Sequence, residues 1–356
     1  LGSLQRISLP VMVGRLIFRK AERSTVSGST LRLSLACWDY DRTRSLSDGR
    51  VSPQGIDLVY LTLSPEESFF RMMRFKEFDV AEMSLSSYVL SLDDPQRPFV
   101  AIPVFPSRAF RHSGIFVRQG GTVGQPSDLV GKRVGIPEYQ LTALVWIRGI
   151  LEEFYGVPYD SVTYVTGGLE QPGRIEKARV RLPESVSIER APEGATLSAM
   201  LDQGAIDAIY APRTPSTFGN GRVIRLFPDA ASVEREYYQT TGIFPIMHTV
   251  AIRRETYERD RWIAKSLQKA FDASLNEVRP AQHDTTALRF SLPWLVAHAE
   301  ETEAIMGPNP WAYGLNDENR KVLATFLRYS HAQGLASTAW DPADLFVPES
   351  LESFAV

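Results

Sequence analysis

The heptapeptide Ser107-Arg108-Ala109-Phe110-Arg111-His112-Ser113 places two guanidinium groups and an imidazole within five residues, directly after the apolar, proline-punctuated run from Phe99 to Pro106. Each Arg presents paired planar donors that match a carboxylate, so two of them can hold a dianion. A His beside them titrates near neutral pH and can move a proton. Two readings compete at this point: a site for an acidic small molecule with acid-base chemistry, and a solvated basic loop.

Other residues join the candidate set by position. His248 lies in Pro245-Ile-Met-His, just before a strand-like stretch, where it is either a second acid-base group or a hydrogen bond at a hinge. Arg174 follows Gly167-Gly168 and Pro172-Gly173, which permit close backbone approach, and Arg213 sits in Tyr210-Ala-Pro-Arg-Thr-Pro. For both, the competing role is an interlobe salt bridge. Ser84, Ser86 and Ser87 fall where a helix starts after a short strand. Free N–H groups and the helix dipole there favour an anion, and simple capping is the alternative. Tyr139 and Thr142 open a long helix that offers the equivalent position in the second half of the chain. The five histidines show no HxH or HExxH spacing and there is a single cysteine, Cys37, so no sequence-local metal motif is expected and no intrachain disulfide is possible. The Gly167-Gly168 pair lacks the spacing and the Lys of a phosphate loop, which argues against nucleotide binding.

These residues are positioned by alternating elements. Leu31–Cys37 alternates apolar and polar residues as a strand does, and Ile56–Leu63 reads as a second strand. Ser64-Pro65-Glu66-Glu67 opens a helix with a Ser cap, Pro in the first turn and acids near the dipole's positive end. Asp79–Met83 is a third strand with a helix after it. A second series follows Ser113–Val117: a short helical turn, a Gly break and a buried strand within Asp128–Pro137, a helix from Tyr139 to Tyr155, a strand at Ser161–Thr166, a helix at Ala195–Gln203 and a strand at Ile206–Tyr210. The chain then returns through a strand at Thr249–Arg253 to helices over Arg261–Val278, Leu292–Ile305 and Asp317–Gln333. The pattern predicts an α/β protein of two lobes, with crossings near 114–118 and 246–252. Lobe 1 is expected over residues 31–116 plus 247–356 and lobe 2 over 117–246. Ligands in such clamps lie in the cleft, against strand ends and helix N-termini.

Composition narrows the partners. The chain has 356 residues, 44% hydrophobic and 23% charged, enough for two lobes with a large core. Residues 1–30 hold five basic residues and one acid, which leaves the remaining 326 at −7 against an overall charge of −3. An acidic body argues against nucleic acid as the main partner. No apolar run reaches the roughly 18–20 residues of a membrane span. Residues 1–30 read as an extension, disordered in part, and a cytoplasmic location is the expectation. The sequence is compatible with a homo-oligomer.

Several phrases carry a specific resemblance. Ala36-Cys-Trp-Asp-Tyr-Asp-Arg-Thr43, Glu82-Met-Ser-Leu-Ser-Ser-Tyr88, Pro103-Val-Phe-Pro-Ser-Arg-Ala-Phe-Arg-His-Ser113, Ile136-Pro-Glu-Tyr-Gln140, Gly167-Gly-Leu-Glu-Gln-Pro-Gly-Arg174 and Thr241-Gly-Ile-Phe-Pro-Ile-Met-His248 are similar to the 4,5-dihydroxyphthalate decarboxylase family. Asp128–Pro137 and Ala199–Tyr210 resemble the phrases that open and end the second lobe of type 2 periplasmic-binding-protein folds. The resemblance covers residues 31 to 350 and implies a two-lobed clamp, a small aromatic carboxylate substrate and a cofactor-independent decarboxylation to 3,4-dihydroxybenzoate. In that chemistry the ring is its own electron sink, so the protein must supply a proton donor, a polariser for a phenol and cations for the carboxylate that stays. His112 is the first choice of donor and His248 the second. Arg108, Arg111, Arg174 and Arg213 are the expected clamp, and Asp39 and Tyr40 could orient the hydroxyls. A solute-binding protein feeding a transporter, or another lyase on the same fold, are the alternatives.

Overall fold

The computed structural model describes residues 30–176 and 182–351. The extension expected over residues 1–30 therefore lies outside the described residues, except for Thr30. The strands, in chain order, are β1 (Leu31–Cys37), β2 (Ile56–Thr62), β3 (Val80–Ser84), β4 (Phe99–Ile102), β5 (Ile115–Arg118), β6 (Arg133–Ile136), β7 (Thr163–Thr166), β8 (Ser187–Arg190), β9 (Ala208–Tyr210), β10 (Val223–Arg225) and β11 (His248–Arg253). They form two sheets, ordered β2-β1-β3-β11-β4 and β10-β5-β9-β6-β7-β8. The first lobe is discontinuous, because β11 returns from the far side of the second sheet. β5 belongs wholly to the second sheet, so the boundary expected between residues 116 and 117 falls inside it.

Within the first sheet β1 pairs in parallel with β2 and β3, whereas β11 runs antiparallel to both β3 and β4. Every residue of β3 is buried, as expected of a central strand covered on both faces. The helix Pro65–Phe75 follows the sequence signals closely: Ser64 Oγ accepts from the Glu67 N–H, and Lys76 ends it in the left-handed region at φ 52°. The long second-lobe helix starts at Thr142 rather than Tyr139, so Tyr139 belongs to the turn before it. β8 is exposed along its whole length and forms an edge, which is why it gives no hydrophobic signal.

The two chain crossings lie against each other. Arg108 and Ile246 form an isolated antiparallel bridge, the Ala109 N–H donates to the Pro245 carbonyl (3.1 Å), and the Met247 N–H donates to the Ser107 carbonyl (2.9 Å). This short two-stranded connection brings Arg111 and His248, 137 positions apart in sequence, to one end of the first sheet.

The C-terminal helix Asp317–Ala332 packs on the second-lobe helix Thr142–Tyr155. Gln333, just beyond it, accepts from Arg148 Nε (2.7 Å) and donates to the Val145 carbonyl (3.0 Å), and Arg328 pairs with Glu153 (2.7 Å). The C-terminal segment therefore ties both lobes rather than capping the first alone. Gly149 is the contact point: a side chain there would run into the ring of Tyr329. On an exposed helix Gly→Ala gains roughly 1 kcal/mol. Here overpacking should outweigh that gain, so Gly149→Ala should lower stability by about 1–3 kcal/mol. A urea midpoint that rises in the variant would contradict this account.

Candidate functional site

The cleft between the lobes holds two adjoining chambers. The inner one, of about 190 Å³, has Arg111, Met247 and His248 from the crossings, Ser84, Ser87, Glu66 and Phe69 from the first lobe, and Glu138 and Gln140 to Ala143 on the second-lobe side. The outer one, of about 450 Å³, is lined by the 168–174 loop with Arg174, Pro212 and Arg213, and shares Glu66, Leu141, Pro212 and Arg213 with the inner. The inner chamber has the size of a single substituted ring.

His248 is the imidazole at this chamber. It opens β11, and the register pairs it with Ser84 and Val250 with Glu82, so His248 and Glu82 are diagonal neighbours on one face of the sheet. Its Nδ1 lies 2.6 Å from Glu82 Oε1, and the ring packs edge-on to Phe69 with centroids 4.8 Å apart. Nε2 has no partner among the described residues. Glu82 is fully buried and accepts further hydrogen bonds from Tyr40 Oη (2.7 Å) and the Trp38 N–H (3.1 Å), with Cys37 Sγ at 3.6 Å. Burial by itself would raise its pKa. The positive charge and hydrogen bond of His248, with the Tyr40 and Trp38 donors, outweigh burial and hold the carboxyl below its ordinary range. Burial, and then the same carboxylate, drive the Tyr40 phenol upward, so Tyr40 is a fixed donor.

The arginines divide by role. Arg111 lines the chamber; its Nε donates to Met247 Sδ at 3.1 Å, and Nη1 and Nη2 have no partner among the described residues. Burial lowers its pKa to about 10, with Glu234 opposing, so it remains a cation at neutral pH. Arg108 lies elsewhere. Its guanidinium donates to the carbonyls of Phe244 (3.4 Å) and Ala312 (3.0 Å) and to Asn319 Oδ1 (2.5 Å), which pins the crossing to the C-terminal helix. Arg174 donates to Glu138 (2.7 and 2.9 Å), and Glu66 from the first lobe reaches both Arg174 and Arg213 at 3.5 Å. The interlobe salt bridge is thus the role these two fill in the structure, at the mouth of the cleft.

His112 is not at the chamber. It is 2% exposed, boxed by the rings of Tyr155, Phe227 and Tyr237, and neither nitrogen has a hydrogen-bond partner among the described residues. Desolvation lowers its pKa to about 4, so it is neutral at physiological pH. Arg108, three residues before Arg111, and His112, the residue after it, both turn into the core. Tyr139 is buried under the Arg148 guanidinium with its hydroxyl 3.3 Å from the Gln333 carbonyl, away from the chamber. Asp39 is exposed and paired with Arg44 (2.9 Å). Of the serines, Ser84 caps the short helix Leu85–Ser91 and meets Thr142 Oγ1 at 2.9 Å across the cleft, Ser87 lines the chamber, and Ser86 is buried behind it, its N–H donating to Thr142 Oγ1 (3.0 Å).

Sequence reasoning left out Glu82, Glu66, Phe69, Glu138, Gln140 and Met247. Glu82 had one available signal, a carboxylate in the middle of an otherwise apolar strand, Val80-Ala-Glu-Met, where an unpaired charge is rarely buried. No group of three or more His, Cys, Asp or Glu side chains with metal-binding geometry occurs among the described residues, and no helix among them is long and apolar enough to cross a membrane.

Fold and site together define a two-lobed, binding-protein-like clamp closed on an anion-receptive cleft that carries a carboxylate-held imidazole. Solved structures share this fold: a periplasmic sulfonate-binding protein of Methylobacillus flagellatus (TM-score 0.54, 15% identity, 91% of this chain and 93% of that one) and the aliphatic sulphonate-binding protein of Escherichia coli (0.52, 12%, 89% and 97%). No family model matches. Among curated proteins, a 4,5-dihydroxyphthalate decarboxylase of Comamonas testosteroni is 45% identical over 330 residues, 92% of this chain and the whole of its own length. Another, from Pseudomonas putida, is 44% identical over 219 residues, 61% of this chain and 85% of that protein. The chain belongs to the 4,5-dihydroxyphthalate decarboxylase family.

His112 also gives a pH prediction. Its folded pKa lies below the unfolded value, so the unfolded chain binds the proton more readily. The neutral His contributes fully above about pH 6.5, and stability is lost as pH falls from there toward 4, by up to about 3 kcal/mol. His112→Phe should flatten this part of the profile, read as the difference between urea midpoints at pH 7 and pH 5. An equal acid loss in both proteins would assign the effect to other groups.

Proposed function

We propose that the protein is a carboxy-lyase that converts 4,5-dihydroxyphthalate to 3,4-dihydroxybenzoate and carbon dioxide, with His248 as proton donor and Arg111 as the cation for the carboxylate that stays. The observation that carries the residue roles is the pairing, in one ring-sized chamber, of an imidazole tied through Nδ1 to a buried carboxylate with a guanidinium whose terminal nitrogens are uncommitted. The family relationship supports the substrate. Capture for a transporter, the rival reading, is not favoured by relatives that are themselves named as decarboxylases.

Each carboxylate of this substrate is para to a hydroxyl. Electron density from the phenolate moves into the ring, and the Nε2–H of imidazolium His248 adds its proton to the carbon that bears the leaving carboxylate. The carbon–carbon bond then breaks, its electron pair restores the aromatic ring, and carbon dioxide departs. One proton is consumed per turnover, and solvent returns it to His248. Glu82 is a positioning residue: it fixes the ring with Nε2 toward the chamber and stabilises the imidazolium. Arg111 binds the second carboxylate through its fork. The helix Thr142–Tyr155 has no side-chain cap, so the N–H groups of its first turn add donors at the same wall. Phe69, Leu141 and Met247 give the wall an apolar patch, which suits a neutral leaving molecule.

Carbon dioxide release from 4,5-dihydroxyphthalate by the purified protein, with 3,4-dihydroxybenzoate as the stoichiometric product, tests the activity. His248→Asn should lower kcat by about 10²–10⁴-fold, with substrate binding within about tenfold, because Asn keeps a hydrogen bond but cannot give a proton to carbon. In deuterated solvent the label should appear at the vacated ring carbon. Glu82→Gln should lower kcat more than it raises KM, because the ring loses the partner that fixes Nε2 toward the chamber while the binding groups stay in place. Arg111→Lys should raise KM more than it lowers kcat. Near-normal turnover in His248→Asn, or its loss in His112→Phe, would reassign the donor.

A further inference from the structure

We infer that Gln140 is the specificity residue that reads the hydroxyl not used in the chemistry, by accepting its proton at Oε1. This rests on the decarboxylase reading above and deepens it. Gln140 lines the inner chamber and is 1% exposed. Its Oε1 is buried and has no hydrogen-bond partner among the described residues, which is costly for an amide oxygen unless a ligand supplies the donor.

The orientation of the amide is set by charge. Gln140 Nε2 donates to Glu138 Oε2 at 3.4 Å, and Arg174 donates to the other oxygen of the same carboxylate at 2.7 and 2.9 Å. A flip would set two acceptors, Oε1 and the Glu138 carboxylate, against each other. The amide nitrogen therefore stays on Glu138, and the oxygen remains an acceptor. Of the chamber's other polar residues, Arg111 and the Thr142 helix start suit an anion and His248 a ring carbon; Glu66, Glu138 and Arg213 are engaged in salt bridges, Ser84 meets Thr142, and Ser87 can donate to the ligand as readily as accept. A neutral hydroxyl is the ligand group that completes Oε1.

Decarboxylation at one ring carbon needs only the hydroxyl para to it. 4-Hydroxyphthalate is thus chemically competent at the position para to its hydroxyl, with 3-hydroxybenzoate as product, and discrimination against it measures recognition rather than reactivity. A site built to bond a hydroxyl rejects the analogue that lacks it far more strongly than an apolar site does.

The experiment compares kcat/KM for 4,5-dihydroxyphthalate and 4-hydroxyphthalate in the wild type, Gln140→Leu and Gln140→Met. The wild type should prefer the dihydroxy compound by at least about 10²-fold. Both variants should compress that ratio to within about tenfold, mainly by losing activity on the dihydroxy substrate. Calorimetric affinities for 3,4-dihydroxybenzoate and 3-hydroxybenzoate should compress in parallel. An unchanged ratio in a folded variant overturns the assignment. If the wild type releases no carbon dioxide from 4,5-dihydroxyphthalate, the decarboxylase reading fails on its own terms, and the affinity ratios still decide whether Gln140 reads a hydroxyl. Thermal melts show which variant is folded; Met keeps the length of Gln, so it carries the test if Leu does not fold.

Discussion

A carboxylate with no access to water must be compensated, and Glu82 is compensated from three directions. Burying such a charge costs several kcal/mol unless donors and an opposite charge surround it. Trp38 and Tyr40 supply donors from the turn after β1, and His248 supplies the charge from β11. Each donor requires a particular piece of the fold. β1 must lie beside β3, and β11 must return antiparallel in a register that sets His248 two residues diagonal from Glu82. The discontinuous first lobe is therefore what permits the buried carboxylate to exist, and the buried carboxylate is what holds the imidazole at the cavity.

The cations follow a similar logic of compensation. Arg108 and Arg111 belong to one crossing, yet Arg108 is surrounded by carbonyl and amide acceptors while the outer nitrogens of Arg111 have none among the described residues. The first fastens the hinge to the C-terminal helix, and the second is available to an anion. At the mouth, Glu66 spans to Arg174 and Arg213 with half-exposed side chains. Such pairs are worth about 0–1 kcal/mol each in water, weak enough for a dianionic ligand to compete for them. One uncommitted guanidinium in the chamber and a weak latch at its mouth suit a clamp that must admit and release small acids.

The solved neighbours show how little chemistry the fold itself dictates. Sulfonate-binding proteins share the two sheets and the cleft at 12–15% identity, which establishes architecture alone. Under the proposed function, a capture device becomes an enzyme by adding a proton donor to the floor of the cleft and an apolar wall beside it. The cleft already provides helix N-termini and interlobe cations for an acid. The added requirement is a group poised to protonate carbon.

The alternation of strands and helices, the two-lobed architecture and the family were legible in the chain, because each depends on local periodicity, caps and contiguous phrases. The signals around Ser64-Pro65 and the β1 alternation correspond to what formed. The direction of a side chain in a non-repeating loop is not local. Arg108, Arg111 and His112 share one heptapeptide, and only packing against Phe244, Asn319, Phe227 and Tyr237 decided that Arg111 alone reaches the cavity. Glu82 and His248 are 166 residues apart, so their pairing came from sheet register, a tertiary quantity. Composition and spacing determined that the chain carries the groups for binding an acid and moving a proton; the return of β11 into the first sheet decided which of them meet, because a charge can be buried only where its partners are brought to it.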